Sequence, residues 1–104
     1  MLKISTEYRK GVLFVRLVGR LDNALLLEET FKVTDELGIK CVVLNFNYLN
    51  TVSLDSVNHI MNYNNKILKQ KKKLFICDTR GGRKRLFKDV IPSIGCEIDA
   101  FSLV

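Results

Sequence analysis

Two short, nearly continuous apolar runs constrain the fold of this 104-residue chain more than any other feature. Residues 41–46 and 74–77 suit strands that are covered on both faces of a sheet. Between them, a helix is predicted to begin near Ser53, because apolar residues recur there at helical spacing. Its apolar stripe consists of Val57, Ile60, Met61, Ile67 and Leu68. A strand–helix–strand unit of this kind favours parallel pairing of its strands.

The N-terminal part of the chain has a pattern typical of a β-hairpin. Residues 2–8 alternate in polarity, and residues 12–18 are mostly β-branched and apolar, so each stretch predicts a strand. After the hairpin, Asp22 or Asn23 is positioned to cap a helix by accepting a backbone N–H. Gly38 provides the predicted end of that helix.

The C-terminal part is predicted to add one helix and one strand. Apolar residues of segment 85–94 have helical spacing, although Pro92 interrupts the ideal pattern. Residues 96–104 alternate like a final edge strand. The predicted order is therefore ββαβαβαβ, in a single domain over residues 1–104. The fold class is α/β, with a mixed, mostly parallel sheet and helices packed on its faces.

Composition indicates a cytoplasmic globular protein without a catalytic centre. Hydrophobic residues make up 47% of the chain, yet no apolar run approaches the roughly 18 residues of a membrane span, and no secretory signal opens it. The three cysteines, Cys41, Cys77 and Cys96, lack metal-ligand spacing. His59 is the only histidine, which leaves little for a catalytic triad. We expect no enzyme activity, metal or cofactor, and no membrane partner.

Basic residues are concentrated in segments 66–73 and 80–85, and the formal net charge is +6. Such a cluster could serve an acidic partner or nucleic acid. Lysines near the end of a helix also complement the helix dipole without any ligand. Because few aromatic residues accompany the cluster, stacking platforms for bases are not evident, and nucleic-acid binding is the least favoured function.

With this element order, three stretches resemble STAS domains, especially the bacterial anti-sigma-factor antagonists. The first stretch, VRLVGRLD at residues 15–22, is similar to the end of a strand in the family. The second, VVLNFNYL at 42–49, is similar to the central strand and the turn after it, and the third, KRLF at 84–87, to the start of the third helix. The three follow one another in the family's order and spacing. The resemblance covers essentially the whole chain. It implies the STAS fold and an anti-sigma factor or related kinase-like protein as partner. The family's further C-terminal helix is not apparent here.

The resemblance also implies a working region at the loop and helix start after the central strand. Family members typically carry Asp-Ser-Ser-Gly there, and the partner kinase phosphorylates the first serine. An ungapped match places Leu54 on that serine, between Ser53 on the aspartate and Asp55 on the second serine. Ser56 stands on the glycine. Because leucine cannot be phosphorylated, the sequence departs from the usual switch.

The residues predicted to bind a partner are Asp22, Thr51, Ser53, Leu54, Asp55, Ser56 and Asn58. Ser56 and Ser53 are the alternative phosphoacceptors, although a helix cap also explains Ser53. Leu54 is either an exposed contact or a packing residue. A second function stays open: a scaffold subunit that self-associates, because a missing C-terminal helix would leave an apolar surface uncovered.

Overall fold

A computed structural model describes residues 1–79, 83–87 and 90–103. Its strands are β1 (Leu2–Arg9), β2 (Val12–Leu21), β3 (Cys41–Val52), β4 (Lys73–Cys77) and β5 (Ser93–Ile94). Its α-helices are α1 (Leu25–Glu36) and α2 (Leu54–Leu68), and two 3₁₀ helices span Lys84–Phe87 and Glu97–Ser102. The second of these is called the C-terminal 3₁₀ helix below.

The five strands form one sheet in the order β1-β2-β3-β4-β5. β1 and β2 form the predicted antiparallel hairpin, and every later pairing is parallel. In the centre of the sheet, Val42 lies opposite Leu13 of β2 and Leu74 of β4. The structure thus confirms the predicted mixed, mostly parallel α/β fold.

The two faces of the sheet have separate cores. On one face, fully buried residues of the strands, such as Leu17 and Leu44, pack with residues of α1 and α2, such as Ile60. On the second face, Phe14 and Val43 pack with residues of the C-terminal 3₁₀ helix. Both faces of the central strands are therefore covered, as their continuous apolar runs require.

The predicted helix over residues 85–94 is wrong for the residues that the structure describes. Only Lys84–Phe87 form a 3₁₀ turn, and Ser93–Ile94 instead pair with β4. Pro92 explains the difference, because the residue before a proline is disfavoured in the α conformation. The Pro92 carbonyl accepts a hydrogen bond from the Ile76 N–H at 2.9 Å, which holds this segment against the sheet.

The predicted strand over residues 96–104 is also wrong in its described part. Residues Glu97–Ser102 form the C-terminal 3₁₀ helix. The Glu97 carboxylate accepts hydrogen bonds from Arg16 of β2 and Asn45 of β3, which holds this helix across the second face of the sheet. This segment therefore packs across the second face of the sheet instead of pairing as a strand at its edge.

The helix ends partly follow the sequence predictions. Asp22 does not cap α1: the N-cap position is Ala24, and Asn23 Oδ1 accepts from the Leu25 N–H at 3.1 Å. Gly38 follows the helix with φ +67°, a left-handed conformation that suits glycine, so the predicted stop is confirmed.

Cys41 and Cys77 are buried in strands, as predicted, and burial raises the pKa of both thiols. Cys96 is exposed. Within the described residues, no helix is long and apolar enough to cross a membrane. No cluster of three or more His, Cys, Asp or Glu side chains suited to a metal ion occurs in the same part of the chain.

Candidate functional site

The start of α2 is tied to the end of β2. The Ser53 N–H donates to the Leu21 carbonyl at 2.8 Å. The Ser53 side chain accepts from the Ser56 N–H at 3.1 Å, so Ser53 is the N-cap that the sequence predicts. These bonds fix the first turn of α2 at the carboxyl ends of the parallel strands β2 and β3.

The Ser56 hydroxyl lies inside this junction. Ser56 has no exposed surface; its Oγ donates to the Leu21 carbonyl at 3.3 Å and accepts from Ser53 Oγ at 2.9 Å. A phosphate adds about two charges and three acceptor oxygens. Phosphorylation of Ser56 would therefore require the first turn of α2 to open, whereas Ser53 is only half-buried.

Two exposed leucines open the two α-helices at this end of the sheet. Leu54, the first residue of α2, is 74% exposed, and Leu25, the first residue of α1, is 72% exposed. Neither leucine is needed to fill the core. Of the two alternatives for Leu54, packing in the core is therefore wrong, and a contact with a partner stays a prediction.

A cluster of polar side chains links the first turn of α1 to the first two turns of α2. His59 of α2 hydrogen-bonds through Nδ1 to the Glu28 carboxylate of α1. His59 Nε2 also lies 3.7 Å from Asp55 Oδ1, one helical turn earlier. The sequence did not single out Glu28, and it predicted for His59 only a plain position at the surface or at its boundary with the core. The i,i+4 spacing of Asp55 and His59 was the available signal, but the contact with α1 was not visible in the sequence.

The other predicted partner-binding residues also lie near this end. Asp22 is exposed, with Oδ2 at 3.5 Å from Arg20 Nε. Thr51 is exposed near the end of β3, opposite Arg20 in the β2–β3 register. Asn58 is exposed in the second turn of α2. The structure thus gathers the predicted residues at one end of the sheet, with Ser56 as the buried exception.

A groove of about 600 Å³ runs between α1 and α2 from this cluster. In its wall, Tyr63 Oη donates to Asp35 Oδ1 at 3.0 Å, and Lys66 Nζ donates to Asp35 Oδ2 at 2.7 Å. Burial opposes ionisation of Asp35, but these hydrogen bonds outweigh it and lower the pKa of the carboxyl. Asp35 therefore holds α1 against α2 as an anion.

Arg83 binds the backbone of β3, a contact that the sequence did not predict. Its guanidinium donates to the Phe46 carbonyl at 2.8 Å and to the Leu49 carbonyl at 2.5 Å, and so supports the distal half of β3. These donors of Arg83 are therefore occupied by backbone carbonyls, although the guanidinium keeps its positive charge. Arg80, Gly81, Gly82 and the Lys84 side chain lie outside the described residues.

The fold is similar to that of solved anti-sigma factor antagonists. SpoIIAA, an anti-sigma factor antagonist solved in its unphosphorylated form, superposes with a TM-score of 0.77 over 99% of this chain and 96% of that chain, at 12% identity. An anti-sigma factor antagonist from Mycobacterium paratuberculosis superposes with a TM-score of 0.82 over 100% and 94% of the two chains, at 16% identity. An uncharacterized protein with a SpoIIAA-like fold from Shewanella loihica PV-4 superposes with a TM-score of 0.63 over 98% of this chain and 92% of that chain, at 18% identity.

These likenesses define the class of the fold. The chain has the STAS-type, SpoIIAA-like fold, as the sequence predicted. No family model and no curated protein sequence matches it.

Proposed function

We propose that this protein is a regulatory module that works by binding another protein rather than by catalysis, and that its partner is an anti-sigma factor or a related kinase-like protein. The docking surface consists of Leu25, Leu54, Asp55 and Asn58. The observation that carries the proposal is the exposure of Leu54 at the start of α2. This is the position that the family resemblance assigns to the phosphoacceptor serine.

The docking surface combines apolar and acidic groups. Burying an exposed leucine in a partner contributes about 1.5–3 kcal/mol. Asp55 and the nearby Glu28 give the surface an acidic rim. A partner with an apolar pocket edged by arginine or lysine would match this chemistry.

Regulation at this surface would differ from the family's switch. Leu54 has no hydroxyl, and the Ser56 hydroxyl is enclosed by its bonds to Leu21 and Ser53. Binding is therefore either constitutive or controlled at Ser53. Phosphorylation of Ser53 would place about two negative charges at the N-terminus of α2, which the helix dipole favours, and beside Leu54, where they would oppose docking of an apolar partner surface.

Affinity capture from a lysate of the host tests the proposal. We expect the tagged protein to recover a histidine-kinase-like ATPase of the anti-sigma type, and the Leu54→Asp variant to lose it. Leu37→Asp is the matched control, because Leu37 is 69% exposed at the opposite end of α1. Equal recovery by the Leu54→Asp and Leu37→Asp variants would show that the docking surface is misplaced.

For the scaffold alternative, one of the two surfaces in question is covered in the described residues, namely the second face of the sheet. Self-association was predicted because an apolar surface of the sheet or of a helix would be left uncovered. The C-terminal 3₁₀ helix covers the second face of the sheet, and Phe14 and Val43 are buried beneath it. A homo-oligomer stays a prediction, which concentration-dependent sedimentation would test.

A further inference from the structure

A second groove lies at the opposite end of α2 from the docking surface. It has a volume of about 420 Å³ and lies between the last turns of α2, the start of β4 and the segment before β5. Its walls are largely apolar, with Leu68, Leu74, Val90 and Leu103 among the lining residues. This volume falls at the small end of the roughly 300–1,000 Å³ found for ligand sites.

Pro92 keeps the groove open. β5 pairs with β4 only at Ile76 and Cys77. If the parallel ladder continued by one more step, the backbone nitrogen of residue 92 would have to donate to the Leu74 carbonyl. Proline has no N–H, so the ladder ends there and the outer edge of β4 beside Leu74 lines a groove instead of pairing.

The groove contains an unpaired buried donor. Asn64 lines it, is only 1% exposed, and its Nδ2 has no hydrogen-bond partner among the described residues. Buried polar atoms are nearly always paired, because an unpaired one loses its hydration without compensation. Nδ2 itself has almost no accessible surface, so an acceptor atom of a ligand would satisfy this amide after a rotation of the Asn64 side chain into the groove.

A lysine lines the same groove. Lys73 Nζ donates to the Leu103 carbonyl at 3.0 Å, and no described carboxylate forms an ion pair with it. An ammonium group has three N–H donors, so two are left for other acceptors. Lys69, Lys71 and Lys72 add positive charge at the same turn between α2 and β4.

We propose that this groove binds a small amphipathic carboxylate, such as a medium-chain carboxylic acid. The hydrocarbon packs against the apolar walls, and the carboxylate accepts from Asn64 Nδ2 and pairs with Lys73. At about 30 Å³ per heavy atom, the volume has room for about ten heavy atoms with space left for packing. The groove shares no residue with the docking surface, so this proposal does not rest on the proposed function.

Nuclear magnetic resonance titration of the full chain with sodium octanoate tests the proposal. We expect saturable shifts confined to the Asn64 side-chain amide and to backbone amides lining the groove. The Lys73→Gln variant should bind about two- to fivefold more weakly, the range of an exposed ion pair. The Asn64→Leu variant should bind about tenfold more weakly while its thermal stability stays the same or rises.

Two controls distinguish specific binding of octanoate in this groove from its nonspecific attraction to lysines or to apolar surface. Lys69→Gln removes an exposed charge of the same cluster, outside the groove lining, and should leave octanoate affinity unchanged. 1-Octanol has the same chain without the carboxylate and should bind more weakly. The proposal is overturned if octanoate gives no saturable shift, or if octanol binds equally well and Lys73→Gln has no effect. It is also overturned if only a peptide with a free C-terminal carboxylate binds, since that would indicate a protein partner.

Discussion

Replacing Glu97 with alanine should destabilise the protein by detaching the C-terminal 3₁₀ helix from the sheet. Glu97 Oε2 accepts from Arg16 Nε at 3.0 Å and from Asn45 Nδ2 at 3.0 Å, and Oε1 accepts from Arg16 Nη2 at 2.8 Å. This carboxylate therefore joins β2 and β3 to the helix that covers their second face.

The magnitude follows from what the substitution leaves behind. The buried Asn45 amide loses its acceptor, and a hydrogen bond to a charged group contributes about 1.5–3 kcal/mol. Arg16 keeps its contact with Glu7 at 2.9 Å and is one-third exposed, so the lost ion pair adds little. We expect a loss of about 2 kcal/mol in the free energy of unfolding. In a domain of this size that lowers Tm by roughly 8–16 °C.

Urea unfolding followed by circular dichroism measures this loss. Asp99→Ala is the matched control, because Asp99 is an exposed carboxylate of the same 3₁₀ helix. We expect the control to change the free energy of unfolding by less than about 0.5 kcal/mol. If Glu97→Ala and Asp99→Ala had equal effects, the anchoring role of Glu97 would be refuted.

Three further results are expected. Hydrogen bonds from Arg16 lower the pKa of Glu97 in the folded protein below its ordinary value of 4.5. The ionised Glu97 carboxylate therefore contributes its full stabilisation of the fold above about pH 4.5, and this contribution is lost as the pH falls through the folded-state pKa. The difference in urea midpoint between wild type and Glu97→Gln should therefore shrink on acidification. Ser53→Ala should cost about 1 kcal/mol by removing the cap of α2, whereas Thr51→Ala should cost little in the same urea assay. Tyr63→Phe should lower stability by about 1 kcal/mol in thermal unfolding, because it removes a hydrogen bond between α1 and α2.

Local sequence patterns predicted the central sheet well, because buried parallel strands need continuous apolar runs. They missed the length of β3, which continues to Val52, well beyond the predicted residues 41–46. The polar and mixed residues of this extension carry no strand pattern. Their backbone carbonyls, including that of Leu49, are held by Arg83, which is distant in the sequence. A contact of that kind cannot be read from a local window.

The C-terminal segment shows how alternation can mislead. Residues 96–104 alternate as an edge strand would, yet Ile98 is exposed. The positions turned toward the sheet are Glu97, Ala100 and Phe101, a helical spacing of three and four residues from Glu97. Glu97 is charged, so the hydrophobic pattern did not mark it as facing the sheet. Its partners, Arg16 and Asn45, lie on β2 and β3, far away in the sequence.

The location of the candidate site at the start of α2 was predictable from the sequence, but which of its side chains are exposed was not. The N-cap role of Ser53 followed from residue type and position alone. The burial of Ser56 did not, because the enclosing acceptor is the Leu21 carbonyl of β2. The contact of His59 with Glu28 likewise depends on how α1 packs against α2.

The docking surface and the second groove lie at the two ends of one rigid helix. α2 has 15 residues and is therefore about 22 Å long at about 1.5 Å per residue. Ile60 and Ile67, near its middle and end, are buried in the larger core, so α2 cannot shift without disturbing close packing. A small ligand that fits the groove without moving α2 would leave the geometry of Leu54 unchanged. Partner binding and carboxylate binding should therefore be independent, and loss of one in a variant need not affect the other.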